Sequence, residues 1–414
     1  MRSFKVIDLL DGVQSGEWGN EPDGKNQVKV IRTTNFTNVG ILDLSKGLAY
    51  RDIEDKKVIQ KQLKKGDIII EKSGGSPQQP VGRVVYFDID DNDIYLCNNF
   101  TSTLRPNKER VDSKYLFYFL YYQHKIRTVE KYQNKTTGII NLKLEKYLNE
   151  IEIKLPNIET QKKVVKLLDT SFGLISKRSE QIKILNNLTR SIFYEMFGDP
   201  LSKDNKYKKY PLKELGEIKT GNTPSRKKEE YYGDYIEWIK SDNINTPFDF
   251  LTVAQEYLSE KGAEKGRIAK EGSILVTCIA GSRESIGSAA IADRDVSFNQ
   301  QINAITPSNK VNTHFLYYQF VVAKKLVQQA STDGMKGLVS KSKFEEIQFI
   351  VPPIEEQNEF SILFQKILLE KELLQKSLLQ LKNTYQAIMQ SSFENNLDFT
   401  GITKSRRDKF VKQL

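Results

Sequence analysis

Residues 155–161 read LPNIETQ, and residues 351–357 read VPPIEEQ. A single folded domain has no physical use for one joint made twice, so this echo constrains the fold more than any other feature. Each copy follows a short alternating run. Ile151, Ile153 and Leu155 alternate with Glu150, Glu152 and Lys154, and Ile347, Phe349 and Val351 alternate with Glu346, Gln348 and Ile350. Both runs suit a strand with one buried face. Proline then disfavours helical geometry in the residue before it and offers no N–H to a ladder. Pro353 suits the first helical position, and Glu355 and Glu356 complement a helix N-terminus. The phrase predicts a strand-to-helix joint, used twice.

The repetition extends far beyond the joint. VKVIRTTNF (28–36) aligns with IEWIKSDNI (236–244), placing Ile31 over Ile239 and Asn35 over Asn243. LKKGDIII (63–70) aligns with IAKEGSILV (268–276), VDSKYLFYFL (111–120) with VNTHFLYYQF (311–320), and TTGIIN (136–141) with MKGLVS (335–340). These place Gly66 over Gly272, Leu116 over Leu316 and Gly138 over Gly337. The offset drifts from 208 to 196 along the chain, as small loop insertions and deletions within two copies of one domain would leave it.

Each copy runs from a strand-rich globular part into a long helix. In the second helix Phe360, Ile367, Leu374, Leu381 and Ile388 recur every seven residues, with Phe364, Leu378 and Tyr385 completing the stripe. That period predicts a coiled-coil seam. The first helix repeats it less regularly through Val164, Leu168, Ile175, Ile182, Leu185 and Ile192. Each stripe needs a partner. Antiparallel pairing within one chain is the simplest solution, although pairing between chains satisfies the same stripes. About 40 helical residues would form a rod of roughly 60 Å. The predicted organisation is a globular domain over 1–155, a helix over 156–197, a linker and second globular domain over 198–351, a helix over 352–398 and a basic tail over 399–414.

The 414 residues are too many for one ordinary core. The net charge of +10 is spread over both halves, with 32 basic and 26 acidic residues up to position 200 and 31 and 27 after it. Such a balance suits a polyanion touching both halves, and equally simple solubility. The 19 Tyr and 21 Phe are needed mainly for cores. Cys97 and Cys278 lack C-x-x-C spacing, which predicts a reducing compartment without disulfides or a zinc site. No run approaches 18 apolar residues, and the opening MRSFKVIDLLDGVQSGE lacks a signal-peptide core. The expectation is a soluble, cytoplasmic protein with no membrane partner.

Motifs for covalent chemistry are not visible. GSRESIGS (281–288) lacks the P-loop lysine, and no G-x-G-x-x-G run occurs. VPPI differs at both ends from the [DNS]-P-P-[YF] motif of amino-methyltransferases. Asp67, Glu71 and Lys72 in GDIIIEK have the wrong spacing for a metal nuclease and read as a solvated strand end. His124 and His314 read as helix-flank residues. The prediction is a chain with no catalytic residues and no metal of its own.

Particular segments now carry a resemblance. KTGNTPSRKKEEYYGDYIEWIKSDNI (219–244) resembles the Gly-x-Thr-Pro-Ser opening and Tyr-Gly…Trp-Ile strand of a target-recognition domain in type I restriction–modification specificity subunits. Residues 136–161 and 335–357 resemble the segments entering that family's long helices, and SIFYEMFGD (191–199) and AIMQSSFEN (387–395) its helix ends. The first half departs from the pattern, because VQSGEWGNEPDG lacks Thr-Pro-Ser, which leaves that loop's geometry open. The resemblance implies an α+β chain of two duplicated mixed α/β target-recognition domains, joined by two long helices forming an antiparallel coiled coil. It implies a DNA-binding subunit without cofactor, directing two methyltransferase subunits and restriction/translocase subunits to a bipartite site on double-stranded DNA. S-adenosylmethionine, ATP and Mg belong to those partners.

Loop position and side-chain chemistry select candidate DNA contacts. In the first domain they are Ser76, Gln78, Gln79 and Arg83, and in the second Ser225, Arg226, Ser282 and Arg283. Arginine suits guanine and glutamine suits adenine. Two alternatives stand beside this reading: a specificity subunit for a fused methyltransferase–nuclease, and a coiled-coil adaptor that binds only proteins.

Overall fold

A computed structural model describes residues 2–22, 27–76, 79–135, 139–332 and 337–394. Gly138 and Met335 of the repeat, Gln78 and the tail 399–414 lie outside the described residues. The chain forms two compact units, one of Met1–Arg178 with Ser377–Leu414 and one of Ser179–Lys376. The units divide within the two long helices, so each contains part of both.

The first unit opens with strand Arg2–Lys5, paired antiparallel with Glu152–Leu155 just before the joint. Its largest sheet runs in the order Leu10–Ser15, Thr101–Pro106, Ile68–Glu71 and Val84–Tyr86. A second sheet places Gln27–Ile31 between Ala49–Asp52 and Tyr95–Cys97, parallel to the latter. The second unit repeats the plan. Lys209–Pro211 pairs with Gln348–Ile350. Gly216–Thr220, Ile302–Pro307, Ile274–Thr277 and Ala289–Ile291 form the equivalent sheet. Ile236–Ile239 lies parallel to Val296–Phe298. Ile68, Ile69, Ile70, Ile274, Leu275 and Val276 are all inaccessible, because both faces of these central strands are covered.

The joint repeats in atomic detail. Helix α1 (Ser113–Lys125) is capped by Asp112, whose side chain accepts from Lys114 and Tyr115 N–H. Helix α2 (Ile158–Phe197) follows the first joint. The last residue of the echoed phrase, Gln161, accepts from Asp112 N–H at 2.8 Å and donates to the Pro156 carbonyl at 2.9 Å. In the second unit helix α3 (Thr313–Val322) is capped by Asn312, and helix α4 (Ile354–Phe393) follows the joint. Gln357 there accepts from Asn312 N–H and donates to the Pro352 carbonyl, both at 2.8 Å. The phrase recurs because one buried glutamine clasps each long helix to the cap of its neighbour.

Asn35 and Asn243 are a second repeated device. Each is buried and takes a backbone N–H three residues upstream, Arg32 or Lys240, at 3.0 Å. Pro353 occupies the helix cap instead of the first helical position, since its carbonyl accepts from Gln357 N–H at 3.2 Å and the helix begins at Ile354. Ile350, expected on the exposed face, is inaccessible, because Gln319 bonds its N–H and C=O and a core closes over it.

The helix stripes pair antiparallel. In the first unit the beginning of α2, through Val164 and Leu168, shares a core with the end of α4, through Tyr385, Ile388, Met389 and Phe393. The Phe393 ring lies 5.3 Å from Tyr115 and 5.8 Å from Phe119. In the second unit the end of α2 shares a core with the beginning of α4. Phe197 meets Phe315 at 4.8 Å, and Phe193 meets Phe360 at 5.4 Å. Burying each such ring contributes about 1.5–3 kcal/mol.

Among the seam residues Val164, Leu168, Phe360, Phe364 and Leu374 are buried, while Ile175, Ile182, Leu185, Ile192, Ile367, Leu378, Leu381 and Ile388 are half-buried. At three places burial shifts by one residue, from Ile192 to Phe193, from Ile367 to Leu368 and from Ile388 to Met389. The 3.6-residue helical repeat drifts past a seven-residue sequence period, and packing against a globular core, unlike a two-stranded coil, follows the drift. Lys371, also on the buried stripe, pairs with Asp249 at 2.6 Å, and Asp249 accepts from the Tyr317 hydroxyl at 3.0 Å.

Candidate nucleic-acid interface

Ser76, Gln79 and Arg83 of the first unit lie on the connection between strands Ser73–Gly75 and Val84–Tyr86. Ser76 and Gln79 exchange backbone hydrogen bonds at 2.8 and 3.0 Å, and Ser76 Oγ also accepts from Gln79 N–H. The structure brings these three residues together, but Arg83 faces inward. Its Nε and Nη2 reach the two oxygens of Glu71 at 2.9 and 2.8 Å, and Nη2 also meets the Thr33 carbonyl. Gln79, with its amide oxygen turned to accept, takes Arg83 Nη1 at 2.8 Å.

Glu71 is buried beneath this fork, and Asp67 is buried in an equivalent bidentate pair with Arg105 at 2.9 and 2.7 Å. The reading of GDIIIEK as a solvated strand end is therefore corrected. Its carboxylates are the buried halves of two ion pairs. Buried carboxylates require such partners, so the arginine fork that a guanine would need is already occupied. Loop position and side-chain chemistry selected Arg83, and the reading of Glu71 as part of a solvated strand end gave no sign that the two would pair.

Polar residues that sequence reasoning did not count among the DNA contacts lie nearby. Ser73 Oγ meets Asn141 Oδ1 at 2.5 Å across paired strands. Lys72 points to Ser15 Oγ, and burial pulls its ammonium below the usual lysine range.

In the second unit Ser225 and Arg226 follow strand Gly216–Thr220, and the chain leaves the sheet at Gly221. A Cβ at Gly221 would sit 2.1 Å from the Asn299 carbonyl oxygen, so only glycine fits. Gly16 makes the same approach in the first unit, where a Cβ would lie 2.0 Å from the Asn98 carbonyl oxygen. Glu17 and Asn222 then donate N–H to Cys97 and Phe298 carbonyls at 2.8 and 3.1 Å. The two loops begin alike despite the missing Thr-Pro-Ser.

Arg226 extends over an aromatic floor. Its guanidinium carbon lies 4.7 Å from the Tyr232 ring and 5.0 Å from the Trp238 ring. Lys240 lies 5.2 Å from Trp238, and Glu256 bridges Arg226 and Lys240. These two cations, Lys240 foremost, hold the Glu256 carboxyl below the usual range. Lys240 lies two residues after Trp238, just past the end of the strand Ile236–Ile239, and nothing in the sequence marked Glu256.

Ser282 and Arg283 form a separate exposed turn after strand Ile279–Ala280. Ser282 Oγ accepts from Ser285 N–H at 3.3 Å, and the Arg283 carbonyl accepts from Gln328 at 3.0 Å. Among the described residues no hydrogen bond joins this turn to Ser225 or Arg226.

Cys97 and Cys278 are buried and free. Among the described residues no three His, Cys, Asp or Glu side chains gather as a metal site, and no helix is long and apolar enough to cross a membrane.

The family model for the type I restriction modification DNA specificity domain matches residues 13–186 and again 204–383. A Methanocaldococcus jannaschii protein designated "Putative type I restriction enzyme MjaX specificity subunit" is 21% identical over 368 residues, covering 85% of this chain and 83% of the relative. The type I restriction enzyme HindI specificity subunit of Haemophilus influenzae is 32% identical over 160 residues, 37% of this chain and 33% of that one. The crystal structure of a type I restriction-modification system S subunit from M. genitalium superimposes with a TM-score of 0.59 at 16% identity, over 96% of both chains. A chain from a structure describing complex assembly and conformational transition of the type I R-M system gives 0.52 at 17% identity, over 96% and 98%.

Proposed function

Since the chain belongs to the type I restriction–modification DNA specificity family, we propose that it is the non-catalytic subunit that reads a bipartite site on double-stranded DNA. Each unit reads one half-site. Two methyltransferase copies and the restriction subunits assemble on it in the cytoplasm, and S-adenosylmethionine, ATP and Mg bind those partners.

One observation carries this reading. The units repeat their sheets, caps and glutamine clasp, yet differ at the exposed loops. The first unit presents Ser76 and Gln79, and the second presents Ser225 with Arg226 and Ser282 with Arg283. One scaffold with two loop chemistries is what reading two different short sequences requires, because base edges are distinguished by side-chain donors and acceptors. The long helices supply the docking surface. Ile184, Leu188, Ile362, Leu369 and Leu373 in the second unit, and Leu174 and Leu379 in the first, are 46–64% exposed on helices whose other stripe is buried. Apolar stripes of this kind mark interaction surfaces.

Mapping methylated adenines in the source strain, with and without this chain, tests the proposal. The expected result is one two-part motif, lost on deletion. Methyl transfer from labelled S-adenosylmethionine to DNA by the purified chain alone would overturn the division of labour.

A further inference from the structure

Two cations from different segments converge on one carboxylate in the second unit. Arg226 Nη2 lies 2.7 Å from Glu256 Oε2, and Lys240 meets Oε1. The Arg226 side chain is 56% exposed, against 31% for Lys240 and 34% for Glu256. The Tyr232 and Trp238 rings, inclined at 76° to one another, form two walls beside the guanidinium, 4.7 and 5.0 Å from its carbon. The ion pair with Glu256 tethers the guanidinium through Nη2 and leaves more than half of the Arg226 side chain exposed. The first unit builds a related cluster differently: Arg51 lies 4.0 Å from the Trp18 ring and pairs with Glu21, but its side chain is only 14% exposed.

Resting on the reading above, we propose that Glu256 is a specificity-determining positioning residue. It aims the Arg226 fork at a base edge and cancels one of two adjacent positive charges that would otherwise hold any phosphate. An unpaired Arg–Lys pair raises affinity for all sequences equally, because phosphate contacts carry no sequence information. An oriented fork, by contrast, discriminates guanine by its two acceptors. Glu256 thus exchanges general affinity for discrimination at one base pair.

The test uses the chain complexed with its methyltransferase subunit. Binding by fluorescence anisotropy is compared between a duplex with the mapped site and one with the second unit's half-site scrambled, over roughly 50–200 mM salt. Glu256→Gln is expected to bind the scrambled duplex more tightly, with a log–log salt slope steeper by about 0.9. The ratio of target to scrambled affinity is expected to fall roughly 5- to 50-fold. In an Arg226→Ala background, Glu256→Gln should leave the ratio unchanged. Arg226→Lys keeps the charge without the fork, so it should lower the ratio at unaltered slope, and it remains informative if Glu256→Gln fails to fold. Equal weakening on both duplexes at constant slope, or a wild-type ratio in Arg226→Lys, would overturn the proposal. A wild-type complex with no preference for the mapped site would instead overturn the reading of the chain as a specificity subunit.

Discussion

Replacing Gln357 by leucine probes the joint with little change in volume. Gln357 is inaccessible, and its amide holds the Asn312 N–H and the Pro352 carbonyl, both at 2.8 Å. Leucine leaves one donor and one acceptor without partners where α4 meets the cap of α3. Each unsatisfied buried group costs about 1–3 kcal/mol. Asn312 is only half-buried, so water recovers part of its loss, and a total of about 2–4 kcal/mol is expected. For a unit near 200 residues this lowers the melting midpoint by roughly 5–15 °C. Gln161→Leu removes the equivalent bonds beside Pro156, which is more exposed than Pro352, so its effect should be smaller and confined to the first unit. Amide exchange read by mass spectrometry separates the units. Gln357→Leu should accelerate exchange in the sheet of Gly216–Thr220 and Ile302–Pro307 before that of Leu10–Ser15. Wild-type midpoints and exchange in both variants would refute the claim that the clasp explains the repeated phrase.

Leu374→Asp together with Leu381→Asp places carboxylates on the packed stripe, and the variant should misfold or fail to assemble with the methyltransferase subunit, as size-exclusion chromatography would show. Lys371→Met strands Asp249 with only the Tyr317 hydroxyl and should cost about 3–5 kcal/mol, whereas Lys371→Met with Asp249→Asn should recover most of it in a denaturation cycle. His124 and His314 are both held below their ordinary 6.5 by burial. On acidification the unfolded chain therefore takes up protons before the native imidazoles do, and stability should fall below about pH 6.5. His314→Gln should flatten that slope in a pH series of thermal melts.

The loops show where sequence reading reaches its limit. Arg83 and Arg226 look alike as basic loop residues, yet one is enclosed by Glu71 and the other spread over Tyr232 and Trp238. The difference lies in strand pairings that bring a carboxylate 12 residues away under Arg83 and one 30 residues away beside Arg226. Local composition carries no trace of such pairings.

The amino-acid sequence alone determined the duplication, the two joints, both long helices and the family. The duplication, joints and helices are written in local patterns: alternation, a proline before a helix, an apolar residue every few positions, each repeated in order; the family showed only as a resemblance of whole segments such as 219–244. The tertiary structure alone decided which helix end enters which core. Phe193 and Phe197 leave the first half of the sequence to pack with Phe315 and Phe360, while Phe393 returns to Tyr115 and Phe119. An apolar period specifies that a face must be buried; what buries it depends on residues far away in the chain, and only the folded units bring them together.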